Sequence, residues 1–149
     1  MYNSIYANKD STYYYANKLI NYSKEENNHF DELSVYLYSN KSAIYFNDHQ
    51  TIKKNLQEID AILSKHKTSL DTINGIEYLK NLINYDRSSY NYKTNNYETA
   101  KLNLETIISN ITKKPDSLLS NDDRILVNDS YTLIAKMFSN DGKYKQAED

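Results

Sequence analysis

The sequence predicts an all-α fold. Only two of the 149 residues are Gly (Gly75, Gly142) and one is Pro (Pro115), where average usage would bring roughly ten and seven. Hairpin-rich all-β and Rossmann-type folds need more turn residues than that. Apolar residues return every three or four positions in one segment after another, which is the spacing of a helix face and not the period of two of a strand. The hydrophobic fraction of 39% includes 16 Tyr, and the mean hydropathy is −0.83. The core must therefore use amphipathic residues that keep a hydroxyl near water, which suits a thin, layered fold with much surface. The length is that of a single domain, 1–149, able to bury a core.

Four helical hairpins are expected, at about 1–27, 29–66, 69–113 and 120–149. In the first, Asp10 is the expected N-cap, because its carboxylate can accept from the free amides of the first turn. Tyr13, Ala16, Leu19 and Ile20 follow on one stripe, and the stub Met1 to Asn8 is left for the partner helix. The second hairpin opens near Asp31 and reaches Phe46. Its return helix, capped by Asp48, carries Ile52, Leu56, Ile59, Ile62 and Leu63. The third starts after Lys67, where Thr68 and Asp71 have the form of a capping box, and Leu70, Ile73, Ile76, Leu79, Leu82 and Ile83 form its stripe. Asn95-Asn96, whose short side chains tolerate left-handed backbone, turns the chain into a helix bearing Tyr97, Ala100, Leu104, Ile107, Ile108 and Ile111. Lys113-Lys114-Pro115-Asp116 ends that helix, since proline cannot continue it.

In the fourth hairpin Ser120 and Asp123 again have capping-box form, and Asp122 and Asp123 sit at the positive end of the helix dipole. Ile125, Leu126, Tyr131, Ile134, Ala135 and Phe138 are the expected buried face, and Asn140-Asp141-Gly142 the turn. About two turns of helix remain before Asp149. A helix that short is marginal unless something packs on it, so the chain is expected to continue into further repeats or an effector domain.

The spacing Tyr131, Ile134, Ala135, Phe138, Gly142, Tyr144, Ala147 resembles one unit of a tetratricopeptide repeat, a family of stacked helical hairpins that bind peptides or other proteins. Ser42, Ala43 and Phe46 mimic the same close-packing and aromatic positions. Small-residue markers of the return helices fall at Thr12, Asn55, Ala100 and Ala147, at intervals of 43, 45 and 47 residues, longer than the ~34 of the standard unit. Family spacing counted back from Ala100 lands on Arg87 and Asn91, with Tyr90 one position away, so the third hairpin carries an irregular helix or a longer turn.

The resemblance implies a short right-handed solenoid of stacked antiparallel hairpins, with a concave wall lined by the first helix of each. In family register that wall carries Leu37, Asn40, Ile44 and Asn47 in the second unit, Tyr85, Ser89 and Tyr92 in the third, and Asp129, Thr132, Lys136 and Ser139 in the fourth. The candidate ligand-binding residues are thus Asn40, Ile44, Asn47, Tyr85, Tyr92, Thr132, Lys136 and Ser139. Amides offer donor and acceptor to a peptide backbone, and an ammonium meets a carboxylate. Ordinary solvated helix faces would carry the same residue types.

Other functions are disfavoured. Eighteen basic and twenty acidic residues give a net charge of −2. Only Arg87 and Arg124 offer the guanidinium best suited to phosphate, and no basic stripe marks a nucleic-acid footprint. No apolar run approaches the ~20 residues of a membrane span, and Met1-Tyr2-Asn3-Ser4 lacks a leader pattern. The lack of Cys suits cytoplasm and periplasm alike, with the cytoplasm favoured. His29, His49 and His66 are not spaced as a metal motif. The carboxylate pairs Glu25-Glu26, Asp122-Asp123 and Glu148-Asp149 sit at helix ends or turns, where solvation or the dipole accounts for them. Serine-nucleophile and glycine-rich phosphate motifs are missing, so neither an enzyme nor a cofactor is expected. Tyr13-Tyr14-Tyr15 points three ways around a helix, and the abundance of Asn, Tyr, Lys and Ile is most simply AT-rich, bacterial codon usage.

The expected function is a peptide- or protein-binding helical-repeat module, the regulatory or sensor part of a larger bacterial transcription regulator or sensor kinase. The alternative is an irregular all-α bundle serving structural self-association, as in a homodimer.

Overall fold

The computed structural model describes residues 8–140. Among them are α-helices, one 3-10 turn and no strand, in agreement with the all-α expectation. The helices are α1 (Lys9–Glu25), α2 (His29–Tyr45), α3 (His49–Lys65), the single turn α4 (Lys67–Leu70), α5 (Ile76–Lys93), α6 (Tyr97–Thr112) and α7 (Asn121–Asn140), with the 3-10 turn at Asp116–Leu118. The chain divides into two compact units, Met1–Leu79 and Lys80–Asp149. The stub before residue 8 and the expected turn and helix after residue 140, with Gly142, Tyr144 and Ala147, lie outside the described residues.

The first unit has a strict period. α1, α2 and α3 are each 17 residues long, and their N-caps Asn8, Asn28 and Asp48 stand 20 residues apart. Each cap side chain accepts from the backbone N–H three residues on, at Ser11, Asp31 and Thr51, which satisfies one of the donors that a helix start leaves open. The first cap is thus Asn8, and the expected cap Asp10 lies inside the first turn of α1.

Both connections use one device. After α1, the Asn27 N–H donates to the Lys24 carbonyl (3.1 Å) and the Asn28 N–H to Ser23 (2.9 Å). After α2, Asn47 donates to Ile44 (3.2 Å) and Asp48 to Ala43 (2.8 Å). These are Schellman motifs, and Asn27 and Asn47 hold the left-handed position with φ of 53° and 59°. The residue that closes one helix also caps the next, so the chain reverses in three residues and each helix packs against its successor, α1 on α2 and α2 on α3.

A fourth period would begin near residue 68, and there the pattern breaks. α4 stops after one turn: the Ser69 hydroxyl donates to the His66 carbonyl and the Thr72 hydroxyl to Ser69, local bonds that compete with a helix ladder. Gly75 then takes φ 88°, and α5 starts at Ile76. The Thr68–Asp71 capping box is therefore not formed at the head of a long helix. The first helices of the two well-defined returns begin at His49 and Tyr97, so the near-constant marker interval reflects a misplaced marker. Asn55 lies two turns into α3, whereas Thr12 and Ala100 lie one turn into theirs.

In the second unit the turn at Asn95-Asn96 forms as expected, by the same Schellman motif: Asn95 donates to Tyr92 (3.1 Å), Asn96 to Asn91 (2.8 Å), and Asn95 has φ 62°. α6 buries Ala100, Leu104, Ile107 and Ile111 and packs on α7. The capping box at Ser120 and Asp123 is reciprocal, the Ser120 N–H donating to Asp123 Oδ2 and the Asp123 N–H to Ser120 Oγ. Lys114 Nζ lies 3.2 Å from both oxygens of Asp123. Burial opposes ionisation of this carboxyl, yet the Ser120 amide and the ammonium of Lys114 hold it below the usual carboxylate range.

The register of α7 differs from the expectation. Leu126, Ser130, Leu133 and Met137 are buried, Ile134, Ala135 and Phe138 are half-buried, and Ile125 and Tyr131 are 56% exposed. The inward stripe thus runs one position away from the tetratricopeptide register. Serines occupy several inward positions: Ser42, Ser88 and Ser130 are buried, and each donates its hydroxyl to the carbonyl four residues back. Satisfied within its own helix, a serine of this kind acts as a small residue that lets a neighbour approach.

Candidate functional site

The expected wall residues fall into two groups. Leu37 and Asn40 are core residues of the first unit, not lining of an open wall. Asn55 of α3 donates through Nδ2 to Asn40 Oδ1 and Ser39 Oγ, both at 3.0 Å, so Asn40 is engaged in a buried polar link between α2 and α3. Its own Nδ2 is buried without a partner. Ile44 is half-buried, and Asn47 is the exposed left-handed residue of the turn. The reason for the difference is that α2 packs on both α1 and α3, which leaves it only the narrow open face marked by Asp31, Tyr38, Lys41 and Tyr45.

In the second unit, Thr132 and Lys136 of α7 are exposed and Ser139 is half-buried. The Thr132 hydroxyl is turned back onto the Asn128 carbonyl at 2.8 Å. Tyr85 is half-buried, and burial, with Asp129 and Asp86 nearby, pushes its phenol upward. The Tyr92 ring lies 5.8 Å from that of Tyr97, where it lines the α5–α6 turn. Of the residues expected to line a wall, Asn47 in the first unit and Asp129, Thr132 and Lys136 in the second are exposed.

A more conspicuous surface lies elsewhere. In the first unit Tyr14, Tyr15, Tyr22, Tyr38 and Tyr45 are each between 61 and 66% exposed. On α1, Tyr15, Leu19 and Tyr22 follow at four and three residues, so they share one face, and Leu19 is also exposed. On α2, Tyr38, Lys41 and Tyr45 follow at three and four, with the Lys41 ammonium 5.7 Å from the Tyr38 ring centre, within cation–π range. The Tyr14 and Tyr15 rings meet edge to face at 5.3 Å. Hydropathy had assigned Leu19 to the buried stripe of α1. The helix instead turns Ile20 and Ser23 inward, and the i, i+4, i+7 spacing of Tyr15, Leu19 and Tyr22 was the available signal.

Two polar clusters join the helices of the first unit. At one end, Asp48 receives Lys9 Nζ at 2.9 Å and the Tyr13 hydroxyl at 3.2 Å. The Lys9 contact and the Thr51 amide hold the Asp48 carboxyl down at about 2, against burial, while burial and Asp48 push Tyr13 up to about 12. At the other end Glu32 is buried, with Lys24 Nζ at 3.6 Å and His29 Nδ1 at 3.3 Å. Burial opposes the charge on Lys24, but Tyr36, Glu32 and Glu58 raise its pKa overall. The His29 and His66 rings stack at 3.5 Å and 26°.

Among the described residues no group of three His, Cys, Asp or Glu side chains is placed to hold a metal, and no helix is long and apolar enough to cross a membrane. A depression of about 310 Å³ is lined by Glu98, Thr99, Lys101, Leu102 and Glu105. All five belong to α6, so the hollow is relief on one helix surface and encloses nothing. Comparison with protein-family models, curated proteins and solved structures finds no match to this chain.

Proposed function

We propose that the chain is a peptide- or protein-binding helical-repeat module, with the exposed tyrosines of α1 and α2 as its principal contact surface and Thr132 and Lys136 of α7 as a polar one. The observation that carries this reading is the exposure of Tyr14, Tyr15 and Tyr22 on α1, which buries only Ile20 and Ser23, and of Tyr38 and Tyr45 on α2, whose opposite face is well buried. Tyrosine brings large, rigid, amphipathic contact area at the cost of only two side-chain torsions, which is why it is enriched where proteins meet. Successive antiparallel helices joined by one repeated turn supply the scaffold, as a loosened tetratricopeptide-like array would. In this reading the module serves as the sensing part of a larger signalling or transcription-regulating protein.

Selection of displayed random peptides on the chain tests the proposal. Enriched peptides should bind the native sequence and lose at least tenfold in affinity to Tyr22→Ala/Tyr38→Ala/Tyr45→Ala, with far-UV circular dichroism unchanged. No enrichment, together with a concentration-dependent dimer in sedimentation that the same triple variant abolishes, would establish structural self-association in its place.

A further inference from the structure

The chain holds one Asn-Gly pair, Asn74-Gly75, in the connection between α4 and α5. The Ile76 N–H donates to the Ile73 carbonyl at 3.2 Å, with Asn74 at negative φ and Gly75 at 88°, which is the pattern of a type II turn. Glycine suits the third position of such a turn because it has no Cβ to clash. Both residues of the pair are exposed. The turn's hydrogen bond engages its first carbonyl and its last N–H, so it leaves the central N–H, that of Gly75, unused. At the other Asn turns the corresponding amide is tied up: the Asn28 N–H donates to Ser23 (2.9 Å), the Asp48 N–H to Ala43 (2.8 Å) and the Asn96 N–H to Asn91 (2.8 Å). Each of those amides also belongs to a residue with a side chain, which crowds any approach to the nitrogen.

We propose that Asn74 is a self-modifying site, whose side-chain amide is attacked by the Gly75 backbone nitrogen and lost as ammonia, leaving an aspartyl or isoaspartyl residue at position 74. Hydroxide removes the Gly75 amide proton, and rotation of the central peptide, which the turn's hydrogen bond does not engage, brings that nitrogen to Asn74 Cγ. The N–Cγ bond forms and the Cγ–Nδ2 bond breaks. Nδ2 takes a proton from water, which restores the hydroxide, and leaves as ammonia. Water then opens the cyclic imide. Opening at Cγ restores the ordinary backbone with a carboxylate on the side chain. Opening at the backbone carbonyl routes the chain through Cγ and leaves the carboxylate next to Cα. In both, the Gly75 nitrogen regains its proton and nothing is oxidised or reduced. The new carboxylate stands just before Ile76, at the positive end of α5, where the helix dipole favours it. The isoaspartyl form also adds a backbone atom between Ile73 and the buried Ile76, so it alters how α5 begins.

Peptide mapping by mass spectrometry, on the whole chain held folded in mildly alkaline buffer, tests the site. Amide-to-acid conversion should be at least tenfold faster at Asn74 than at Asn27, Asn47 or Asn95, and both isomers should form, told apart by electron-transfer fragmentation. Asn74→Gln, whose longer side chain closes such a ring far more slowly, should lose that excess. Conversion at Asn74 no faster than at the other three overturns the assignment. So does an Asn74 that stays intact in the folded chain but converts in the same chain in urea, because the fold then shields the pair. Aspartate without the isoaspartyl isomer would show direct hydrolysis by water and would overturn attack by Gly75.

Discussion

Asp48 is the residue on which most of the first unit's polar organisation converges. It caps α3, and it joins that cap to the first turns of α1 through Lys9 and Tyr13. Asp48→Asn keeps the amide oxygen that Thr51 N–H needs but gives up the charge. Because Lys9 is about half exposed, the loss is expected to be about 1 kcal/mol or less at neutral pH. Asp48→Ala also removes the cap and should cost about 1 kcal/mol more. The sign with pH follows from the native carboxyl lying at about 2 against an ordinary 3.8. Its contribution is complete above 3.8 and disappears as pH falls through 2, so the gap between native and Asp48→Asn in urea unfolding should close over that window. A gap that stays constant from pH 7 to pH 3 and below would refute the assignment. Tyr13 behaves in the opposite sense: held at about 12 against 10.0, it stabilises below pH 10 and ceases to do so as pH rises through 12.

Between helices, the recurring element is a left-handed Asn followed by an Asn or Asp at the cap position, whose side chain caps the next helix at Asn28 and Asp48 but makes no capping bond at Asn96. Asn27, Asn47 and Asn95 each hold φ near 60°, a conformation that costs most residues roughly 1–2 kcal/mol and glycine nothing. Asn47→Gly should therefore be neutral or slightly stabilising, and Asn47→Ala should lose about 1 kcal/mol by thermal unfolding. A β-branched replacement, Asn47→Val, should lose more, and equal stability of all three variants would contradict the turn. The same elements show what was legible beforehand. Asn95-Asn96 was recognisable as a turn from its short polar side chains, and Asn27-Asn28 and Asn47-Asp48 carry that dipeptide signal at a spacing of 20 residues. The signal is not unique, since Asn128-Asp129 lies inside α7, so only a supporting hydrophobic period identifies it. Helix positions were legible because caps and stripes agree, as at Ser120 and Asp123. Helix rotation was not. Tyr131 and Leu19 count as apolar yet tolerate water, while Asn40, Ser130 and Glu32 count as polar yet are buried with partners.

At the scale of the whole molecule, an aliphatic-poor composition is reconciled with a folded core by letting polar groups inside and tyrosines outside. Ile59, Ile107, Leu104 and Ala100 are fully buried, but so are Asn40, Ser88 and Ser130, each cheap to bury only because most of its polar atoms find a nearby acceptor or donor. Such a core gains less from area alone and depends on short connections to limit the entropy lost on folding. Among the described residues the most extensive packing is local, α1 on α2, α2 on α3 and α6 on α7, pairs adjacent in sequence, with Lys9 and Tyr13 reaching from α1 to the cap of α3. Chains dominated by local helical contacts fold in microseconds to milliseconds, because little loop closure precedes the first favourable contact. Stopped-flow refolding from urea should therefore place the main amplitude within milliseconds, and Ile59→Ala, which empties a buried site between helices, should cost about 2–5 kcal/mol. If its effect falls chiefly on the folding rate, the pairing of α2 with α3 is part of the nucleus. A dominant phase of seconds would show that distant contacts, and not neighbouring helices, govern assembly.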